Sequence, residues 1–181
     1  MRLLGAVLAG GKARRFGSDK AVALLKDRPL IEHVIARLRP QVADLVIIGR
    51  SWGDFQSLSD RPHTDMGPLG GLNAALHHAA AQGFDAVLTS GCDLPDLPLD
   101  LAERLAPGPA VVAGQPMLGL WPARLAPALD RWLAATTDLS MAAWLRQANG
   151  REVVLSRPIA NINRPEELDA FSRSADPQSS R

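Results

Sequence analysis

The chain is poor in cysteine, in net charge and in long apolar runs, and each shortage excludes a class of protein. The single cysteine, Cys92, cannot form an internal disulfide and suits a reducing compartment. A formal net charge of +1 argues against a surface that coats nucleic acid. No apolar run approaches the roughly 18 residues of a membrane-spanning helix, and the first residues lack the small-residue cleavage site of a signal peptide. The sequence therefore predicts a cytoplasmic protein.

Histidine and lysine are also scarce. The four histidines show no partner at metal-ligand spacing, which predicts core or surface roles for them. Only three of the twenty basic residues are lysines, and two of these, Lys12 and Lys20, lie in one glycine-rich stretch. In a chain that elsewhere uses arginine, Lys20 indicates a need for a compact point charge.

Apolar residues, by contrast, are plentiful. A chain of 181 residues with 46% hydrophobic residues is long enough for one α/β domain with a sizeable core, and short for two. We assign residues 1–171 to a single domain. Residues 172–181 are polar and lack an apolar period, which predicts a flexible C-terminal tail.

The most informative stretch is LLGAVLAGGKARRFGSDK, residues 3–20. Its apolar start, Leu3 to Leu8, is short enough for one buried parallel strand. The adjacent glycines Gly10 and Gly11 let a ligand approach the backbone and expose N–H donors suited to anions. Four cationic side chains within nine residues supply the counter-charge for a polyphosphate: Lys12, Arg14, Arg15 and Lys20. This stretch therefore predicts phosphate binding.

Residue spacing excludes two familiar phosphate loops. A Walker loop requires G-x-x-x-x-G-K-[ST], whereas five residues separate Gly11 from Gly17 and two more precede Lys20. A dinucleotide fingerprint requires G-x-G-x-x-G directly after the strand, and Gly10-Gly11-Lys12 does not provide it.

The stretch instead resembles the signature L-A-G-G-x-x-x-R-[MF]-G-x-D-K of the nucleotidyltransferases, and most closely that of the molybdenum cofactor guanylyltransferases. The matching residues are Leu8, Ala9, Gly10, Gly11, Arg15, Phe16, Gly17, Asp19 and Lys20. The resemblance implies that Leu8 to Gly11 and Lys20 contact the nucleotide. It also implies that Lys20 and Arg15 neutralise the triphosphate during catalysis.

A second motif, DMGPLGGL, covers residues 65–72 and runs into an alanine-rich helix predicted over Leu69 to Ala81. The helix N-terminal amides with Gly70-Gly71 suit a ligand's polar edge or phosphate. A tight turn with close helix packing is the alternative that the residues leave open. The motif resembles the D-x-G-P-L-[AG]-G-[LM] pattern of the guanylyltransferases, which implies that Asp65 contacts the bound nucleotide.

A third motif centres on Asp93, which follows a strand predicted over Ala86 to Ser90. Parallel α/β sheets place ligands at this end of a strand, and Mg²⁺ prefers carboxylate oxygens beside substrate phosphates. Asp93 matches the C-D-x-P motif of the family. The resemblance implies that Asp93 contacts the nucleotide, is a ligand of Mg²⁺ and takes part in catalysis. A helix cap is the alternative, and we assign that cap to Asp96, closer to a helix predicted near Pro98. Cys92 is interpreted as a small buried residue because no histidine accompanies it.

A fourth motif, NINRPEEL, covers residues 161–168 and resembles N-[IV]-N-T-P-E-[ED]-L of the same family, with Arg164 in place of threonine. The resemblance implies that Asn161 and Asn163 approach the pterin phosphate and the metal site. Asn163 and Glu166 also have capping-box spacing, so a cap and a ligand role both remain open. Relatives often carry an asparagine after the second strand; here the residues are Ile48-Gly49-Arg50, and only a backbone contact is assigned.

Strand and helix patterns alternate along the chain. The predicted strands cover residues 3–8, 44–49, 86–90, 111–113, 117–121 and 153–155, and the predicted helices cover residues 30–38, 69–81, 122–133 and 140–145, with a short helix near residue 98. Residues 52–60 are interpreted as a short helix and loop. This alternation predicts a three-layer, Rossmann-like α/β fold with a mostly parallel central sheet. The resemblance makes it the nucleotidyltransferase fold, with the motif loops at one edge.

The resemblance implies transfer of the GMP moiety of GTP to the phosphate of molybdopterin, with release of pyrophosphate and Mg²⁺ as cofactor. GTP, molybdopterin and molybdoenzyme-specific chaperones are the implied partners, without nucleic acid or membrane. Three alternatives remain: a cytidylyltransferase for the same cofactor, which tends to carry L-A-A-G; a nucleotidyltransferase acting on another small phosphate ester; and a non-catalytic nucleotide-binding domain. Retention of Lys20 and Asp93 argues against the last.

Overall fold

A computed structural model describes residues 1–10, 19–64, 66–162 and 167. Its strands are β1 (Leu3–Leu8), β2 (Leu24–Leu25), β3 (Arg28–Pro29), β4 (Asp44–Ile48), β5 (Gln56–Leu58), β6 (Ala86–Gly91), β7 (Ala110–Val112), β8 (Gln115–Pro122) and β9 (Arg151–Val153). Its α-helices are α1 (Leu30–Leu38), α2 (Gly67–Ala81), α3 (Leu101–Leu105), α4 (Ala126–Ala135) and α5 (Met141–Gln147). Short 3₁₀ turns cover Lys20–Val22, Arg39–Gln41 and Ala123–Leu125. The tail predicted over residues 172–181 lies outside the described residues.

Seven strands form one sheet, in the order β5-β4-β1-β6-β8-β7-β9, and β2 pairs with β3 in a separate hairpin. Strands β4 and β6 run parallel to β1, and β5 runs parallel to β4. Strand β8 is antiparallel to both β6 and β7, and β9 is parallel to β7. Within the described chain, β8 alone therefore runs against the other strands of this sheet. The prediction of a mostly parallel α/β sheet is confirmed.

Helices cover both faces of the sheet, as strand β1 illustrates. Leu4, Ala6 and Leu8 point to one face and pack in a cluster with α2, α4 and α5. Leu3 and Val7 point to the other face and pack with α1 and α3. All six residues of β1 are buried, which is why its sequence reads as an unbroken apolar run rather than an alternating one. The three-layer arrangement is therefore present.

Most helices occur where the apolar period predicts them. Helix α1 covers Leu30–Leu38, with its five buried residues at helical spacing. Helix α5 begins after Ser140, whose hydroxyl accepts a hydrogen bond from the Ala143 N–H at 3.1 Å. Both helix starts are confirmed.

The interpretation of residues 52–60 as a short helix and loop is wrong. Gln56–Leu58 form strand β5, which pairs in parallel with β4 at the edge of the sheet. Gln56 and Ser57 are exposed and Leu58 is only half-buried, so an edge strand of three residues shows no apolar period. Strand β5 is the fourth strand of the parallel set β5, β4, β1 and β6, so its carboxyl end lies at the sheet edge where ligands are expected.

The assignment of a helix cap to Asp96 is also wrong. Helix α3 begins at Leu101 with Asp100 in the N-cap position. The Asp96 carboxylate instead accepts hydrogen bonds from Arg37, at 3.1 Å, and from Arg157. Two guanidinium groups from distant parts of the chain share this carboxylate: Arg37 lies on α1 and Arg157 in the segment after β9.

Gly119 in β8 has a packing reason. The indole ring of Trp121 covers the position that a β-carbon would take at residue 119. The Trp121 N–H donates to the Thr89 hydroxyl at 3.2 Å, and that hydroxyl donates to the Gly119 carbonyl at 3.2 Å. Glycine at residue 119 therefore lets a buried tryptophan satisfy its polar group within the sheet.

Candidate active site

The carboxyl ends of β1 and β4 meet more closely than ordinary side chains allow. The Ala9 N–H donates to the Ile48 carbonyl at 3.0 Å, just past the last paired residues of the two strands. Gly49 has a φ of +83°, and a β-carbon there would lie 2.5 Å from the Gly10 Cα. Only glycine fits at residue 49 for both reasons. This contact holds the start of the glycine-rich stretch against β4.

A cleft of about 230 Å³ opens at this edge of the sheet. It is bordered by the end of β1, by the 3₁₀ turn Lys20–Val22 and by the residues at and just after the end of β6. The lining residues are Leu8, Ala9, Gly10, Asp19, Lys20, Ala21, Gly91, Cys92, Asp93 and Met117. Five of the predicted ligand residues are among them: Leu8, Ala9, Gly10, Lys20 and Asp93. The other predicted contacts, Gly11, Arg15, Asp65 and Asn163, lie outside the described residues, and their roles remain predictions.

Lys20 and Asp93 form an ion pair across the cleft, although 73 residues separate them in the chain. The Lys20 Nζ donates to the Asp93 Oδ2 at 2.8 Å, and the two side chains are only 13% and 22% exposed. An ion pair in such a partly dry cleft is screened less than a surface pair. It places one positive and one negative group at the end of β1, which suits a phosphate and a cation side by side.

The Asp93 carboxylate lies back over Gly91. A β-carbon at residue 91 would lie 2.5 Å from the Asp93 Oδ1, so a side chain there would displace the carboxylate. The late asparagine motif reaches the same segment, because the Ile162 N–H donates to the Asp93 carbonyl at 3.0 Å. Among the described residues, the buried Asn161 Oδ1 has no hydrogen-bond partner. The predicted substrate residue Asn161 thus lies in the chain segment that holds the Asp93 loop.

A second cavity, of about 380 Å³, adjoins the cleft. Its lining is mostly apolar and contains one carboxylate: Leu8, Gly10, Ile48, Asp60, Gly67, Pro68, Gly71 and Met117. Leu8, Gly10 and Met117 also line the cleft, so the two spaces lie side by side at the end of β1. A mostly apolar cavity with one acceptor group suits a flat ring that carries N–H donors on one edge.

The first turn of α2 forms one wall of this cavity, and its glycines are needed for packing. A β-carbon on Gly71 would lie 2.9 Å from the Ile48 Cγ2 and 3.1 Å from the Leu8 Cδ2. A β-carbon on Gly70 would lie 2.6 Å from the Met66 Cβ. The close-packing alternative therefore accounts for Gly70, whereas Gly71 both packs closely and lines the cavity.

Asp60 is the residue that sequence reasoning misses. It lies two residues past the end of β5, at the same sheet edge as Asp93, and its Oδ1 would be 3.6 Å from a β-carbon on Gly71. The signal is a carboxylate just after a parallel strand, which is where α/β sheets bind ligands. That signal is hidden when residues 52–60 are interpreted as a helix and loop, because no strand then precedes Asp60.

Cys92 lies beside the Lys20–Asp93 ion pair and does not have the properties of a nucleophile. Burial raises the pKa of its thiol to about 11, and the adjacent Asp93 carboxylate contributes to the rise while Lys20 opposes it. The reactive form of cysteine is the thiolate, so the side chain stays protonated near neutral pH. This agrees with the interpretation of Cys92 as a small residue rather than a nucleophile, although the residue is half-buried rather than buried.

Slow alkylation of Cys92 is the expected result at pH 7. With a pKa of about 11, the thiolate fraction is about 300-fold smaller than for an unperturbed thiol of pKa about 8.5. The rate of iodoacetamide labelling, measured by mass spectrometry, should rise about tenfold per pH unit up to that pKa. Glutathione serves as the reference thiol. Labelling at the rate of glutathione at pH 7 would contradict the shifted pKa.

The oxygen donors of the site fit a hard divalent cation. Within the described ranges, no group of three or more His, Cys, Asp or Glu residues is placed to hold a metal ion. Asp93 supplies a carboxylate, and Mg²⁺ commonly takes only one or two such ligands and completes its shell with water and substrate phosphates.

Among the residues that the structure describes, no helix is long and apolar enough to cross a membrane.

Comparison with known proteins agrees with this geometry. Residues 5–153 match the family model described as the MobA-like NTP transferase domain. The chain belongs to this family. A relative from Cereibacter sphaeroides, named molybdenum cofactor guanylyltransferase, is 40% identical over 93% of this chain and 94% of its own length. A relative of the same name from Rhizobium leguminosarum bv. trifolii is 34% identical over 94% of this chain and 92% of its own length.

Solved structures share the fold. A molybdopterin-guanine dinucleotide biosynthesis protein A from Archaeoglobus fulgidus superposes with a TM-score of 0.71 at 22% identity, covering 94% of this chain and 97% of its own. A 4-diphosphocytidyl-2C-methyl-D-erythritol synthase superposes with a TM-score of 0.68 at 14% identity, covering 97% of this chain and 98% of its own. At these identities the match shows the fold alone, and it confirms the nucleotidyltransferase fold for this member of the family.

Proposed function

We propose that this protein transfers the GMP moiety of GTP to the phosphate of molybdopterin and releases pyrophosphate. The observation that carries the proposal is the match, over nearly the whole chain, to relatives named molybdenum cofactor guanylyltransferase. The Lys20–Asp93 pair in the cleft supports a catalytic protein rather than a nucleotide-binding module alone, because binding by itself does not require a carboxylate beside the triphosphate. Mg²⁺ as the metal, a cytoplasmic location and molybdoenzyme-specific chaperones as partners belong to the same proposal.

In this proposal the nucleotide occupies the two adjacent spaces. The guanine ring occupies the apolar cavity, where the Asp60 carboxylate accepts hydrogen bonds from the ring N–H and amino groups. The triphosphate lies in the cleft above Gly10, whose exposed backbone admits phosphate oxygens. Lys20, with Arg15 from the family signature, neutralises the charge of the phosphates. Asn161 and Asn163 hold the pterin phosphate.

The chemistry requires positioning and charge neutralisation more than proton transfer. A terminal phosphate oxygen of molybdopterin attacks the α-phosphorus of GTP, a new P–O bond forms, and the bond to the pyrophosphate leaving group breaks. The attacking oxygen is already an anion, so the protein needs no general base. Asp93 would hold Mg²⁺, which supplies positive charge to the phosphate oxygens when bound. Lys20 stabilises charge that develops as the bond breaks.

GTP should bind at least roughly tenfold more tightly than CTP or ATP, a difference of about 1.4 kcal/mol. The physical reason is that guanine presents two adjacent donors to a carboxylate, whereas adenine and cytosine do not. Titration calorimetry with each nucleotide and Mg²⁺ measures the preference. Asp60→Asn should reduce the preference for GTP over CTP and ATP. Asp65→Asn is measured beside it, because the family signature assigns the nucleotide contact to residue 65.

The outcomes separate the alternatives. Equal affinities, or a preference for CTP, would overturn the guanine assignment and favour a cytidylyltransferase. GTP binding without pyrophosphate release upon addition of Mg²⁺ and molybdopterin would favour a non-catalytic nucleotide-binding domain. Release of pyrophosphate only with a different acceptor, in a screen of small phosphate esters, would keep the reaction class and change the substrate.

A further inference from the structure

Arg50 follows the second strand of the sheet, where the sequence motifs assign no side-chain contact. Its guanidinium reaches Asp19, 31 residues away in the chain. Nη1 donates to the Asp19 Oδ1 at 2.8 Å, and Nη2 donates to the Asp19 Oδ2, so the pair has the two-pronged geometry of an arginine fork. The Arg50 side chain is 24% exposed.

The backbone beneath Arg50 is held by its neighbours in the sheet. The Gly49 N–H donates to the Leu58 carbonyl at 2.9 Å, and the Ser57 hydroxyl donates to the Arg50 carbonyl at 2.7 Å. Gly49 packs on Gly10 with no room for a β-carbon. Arg50 therefore extends from a fixed point on β4 and β5, which gives its guanidinium a defined reach.

Asp19 connects this fixed point to the lysine of the cleft. Asp19 is the N-cap of the 3₁₀ turn that begins at Lys20, and its Oδ1 accepts a hydrogen bond from the Ala21 N–H at 3.2 Å. Its carbonyl accepts a second bond, from the Val22 N–H at 3.2 Å. The hydrogen bond from Arg50 is the main cause that holds the pKa of Asp19 below its usual range, so the carboxylate stays ionised and able to accept both partners.

We propose that Arg50 is a positioning residue for Lys20. Arg50 holds the Asp19 carboxylate, Asp19 caps the turn, and the turn directs the Lys20 ammonium to Asp93. The inference rests on the proposed function for its catalytic consequence, but the geometric step concerns only this chain. It assigns a side chain to the end of the second strand, where relatives often carry an asparagine. It also predicts that a residue outside the catalytic pair alters catalysis through that pair.

The first test measures the position of Lys20 without any substrate. The chain has three lysines, so mass spectrometry of the protein treated with N-hydroxysuccinimide acetate gives the acetylation rate of each. The Lys20 side chain is only 13% exposed, whereas Lys26 is exposed, so Lys20 should react more slowly than Lys26. In Arg50→Ala, the Lys20 rate relative to Lys26 should rise about fivefold, as expected for loss of a partly exposed ion pair.

Arg104→Ala is the matched control. Arg104, in α3, also forms a two-pronged pair: its Nε and Nη2 donate to the Asp100 carboxylate at 2.7 Å and 2.6 Å, and it lies outside the lining of the cleft. This variant should leave the Lys20 rate and the activity unchanged. Arg50→Lys keeps the charge but not the fork, and should give an intermediate Lys20 rate. An unchanged Lys20 rate in Arg50→Ala would overturn the proposal, whatever reaction the protein catalyses.

The second test links position to turnover. Arg50→Ala should lower kcat for pyrophosphate release about tenfold, as a small misplacement of a catalytic group does. Asp19→Asn should also lower kcat about tenfold. The double variant should lose no more activity than either single variant, because each substitution removes the same Arg50–Asp19 ion pair. Additive losses would overturn the shared route through Asp19. A raised Lys20 rate in Arg50→Ala, combined with no guanylyl transfer by the wild-type protein, would refute the proposed function and leave the positioning role standing.

Discussion

Asp93→Asn should leave the protein folded and lower turnover by roughly two orders of magnitude or more, the loss expected when a charged transition-state contact is removed. Asparagine keeps the size of the side chain and an oxygen that accepts from Lys20. The bond from the Ile162 N–H goes to the backbone carbonyl of residue 93, so the substitution does not touch it. What asparagine lacks is the negative charge that a hard divalent cation requires.

The measurement combines thermal unfolding and pyrophosphate release on one preparation. Asp100→Asn is the matched control, because the Asp100 carboxylate also pairs with one basic side chain, that of Arg104, and lies outside the lining of the cleft. Full activity of Asp93→Asn would exclude a metal role for this carboxylate. A loss of thermal stability larger than that of Asp100→Asn would make Asp93 a structural residue. The expected variant is folded and inactive.

Lys20→Ala should lower turnover by roughly 100-fold, the typical loss for one donor that stabilises transition-state charge. The substitution also leaves the Asp93 carboxylate without its partner at 2.8 Å, in a cleft where both side chains are mostly shielded from water. Turnover, rather than nucleotide affinity alone, should carry most of the effect, because the charge on the phosphates grows as the bond to pyrophosphate breaks.

Two other lysine variants test whether this effect is specific. Lys12→Ala, at a position that the family signature leaves free, should cost far less than Lys20→Ala; residue 12 lies outside the described chain. Lys26→Ala removes the third lysine, from the β2–β3 turn. Lys26→Ala, outside the glycine-rich stretch, should also cost far less than Lys20→Ala. Comparable losses for Lys12→Ala and Lys20→Ala would mean that the glycine-rich stretch acts through diffuse positive charge, and the ranking of Lys20 would be wrong.

Most of the helices and strands could be predicted because their signals are local. Strand β1 is an unbroken apolar run, α1 has five apolar residues at helical spacing, and Ser140 caps α5 with its own hydroxyl. Each of these features depends on residues a few positions apart. Strand β5 escaped prediction because an exposed edge strand of three residues has no apolar period, and its only support is the pairing with β4.

The candidate site divides in the same way. The motifs after β1 and β6 predict from sequence alone that Gly10, Lys20 and Asp93 contact the nucleotide, and the fold brings all three to one cleft. Asp60 escapes prediction together with β5. Asp96 is expected at a helix cap, whereas it pairs with two arginines. Neither partner of Asp96 is within fifty positions of it, so local spacing carries no trace of the pairing.

The sequence by itself determined the fold class, the family and the glycine-rich, aspartate and asparagine motifs, because strand and helix periods and signature spacings are properties of short segments. Only the tertiary structure decided that β8 runs against its neighbours, that Asp60 faces the cavity beneath β1, and that Arg50 holds Asp19. These features depend on which strand ends lie side by side in the sheet. Strand order is set by packing between segments tens of residues apart, and no local pattern encodes it.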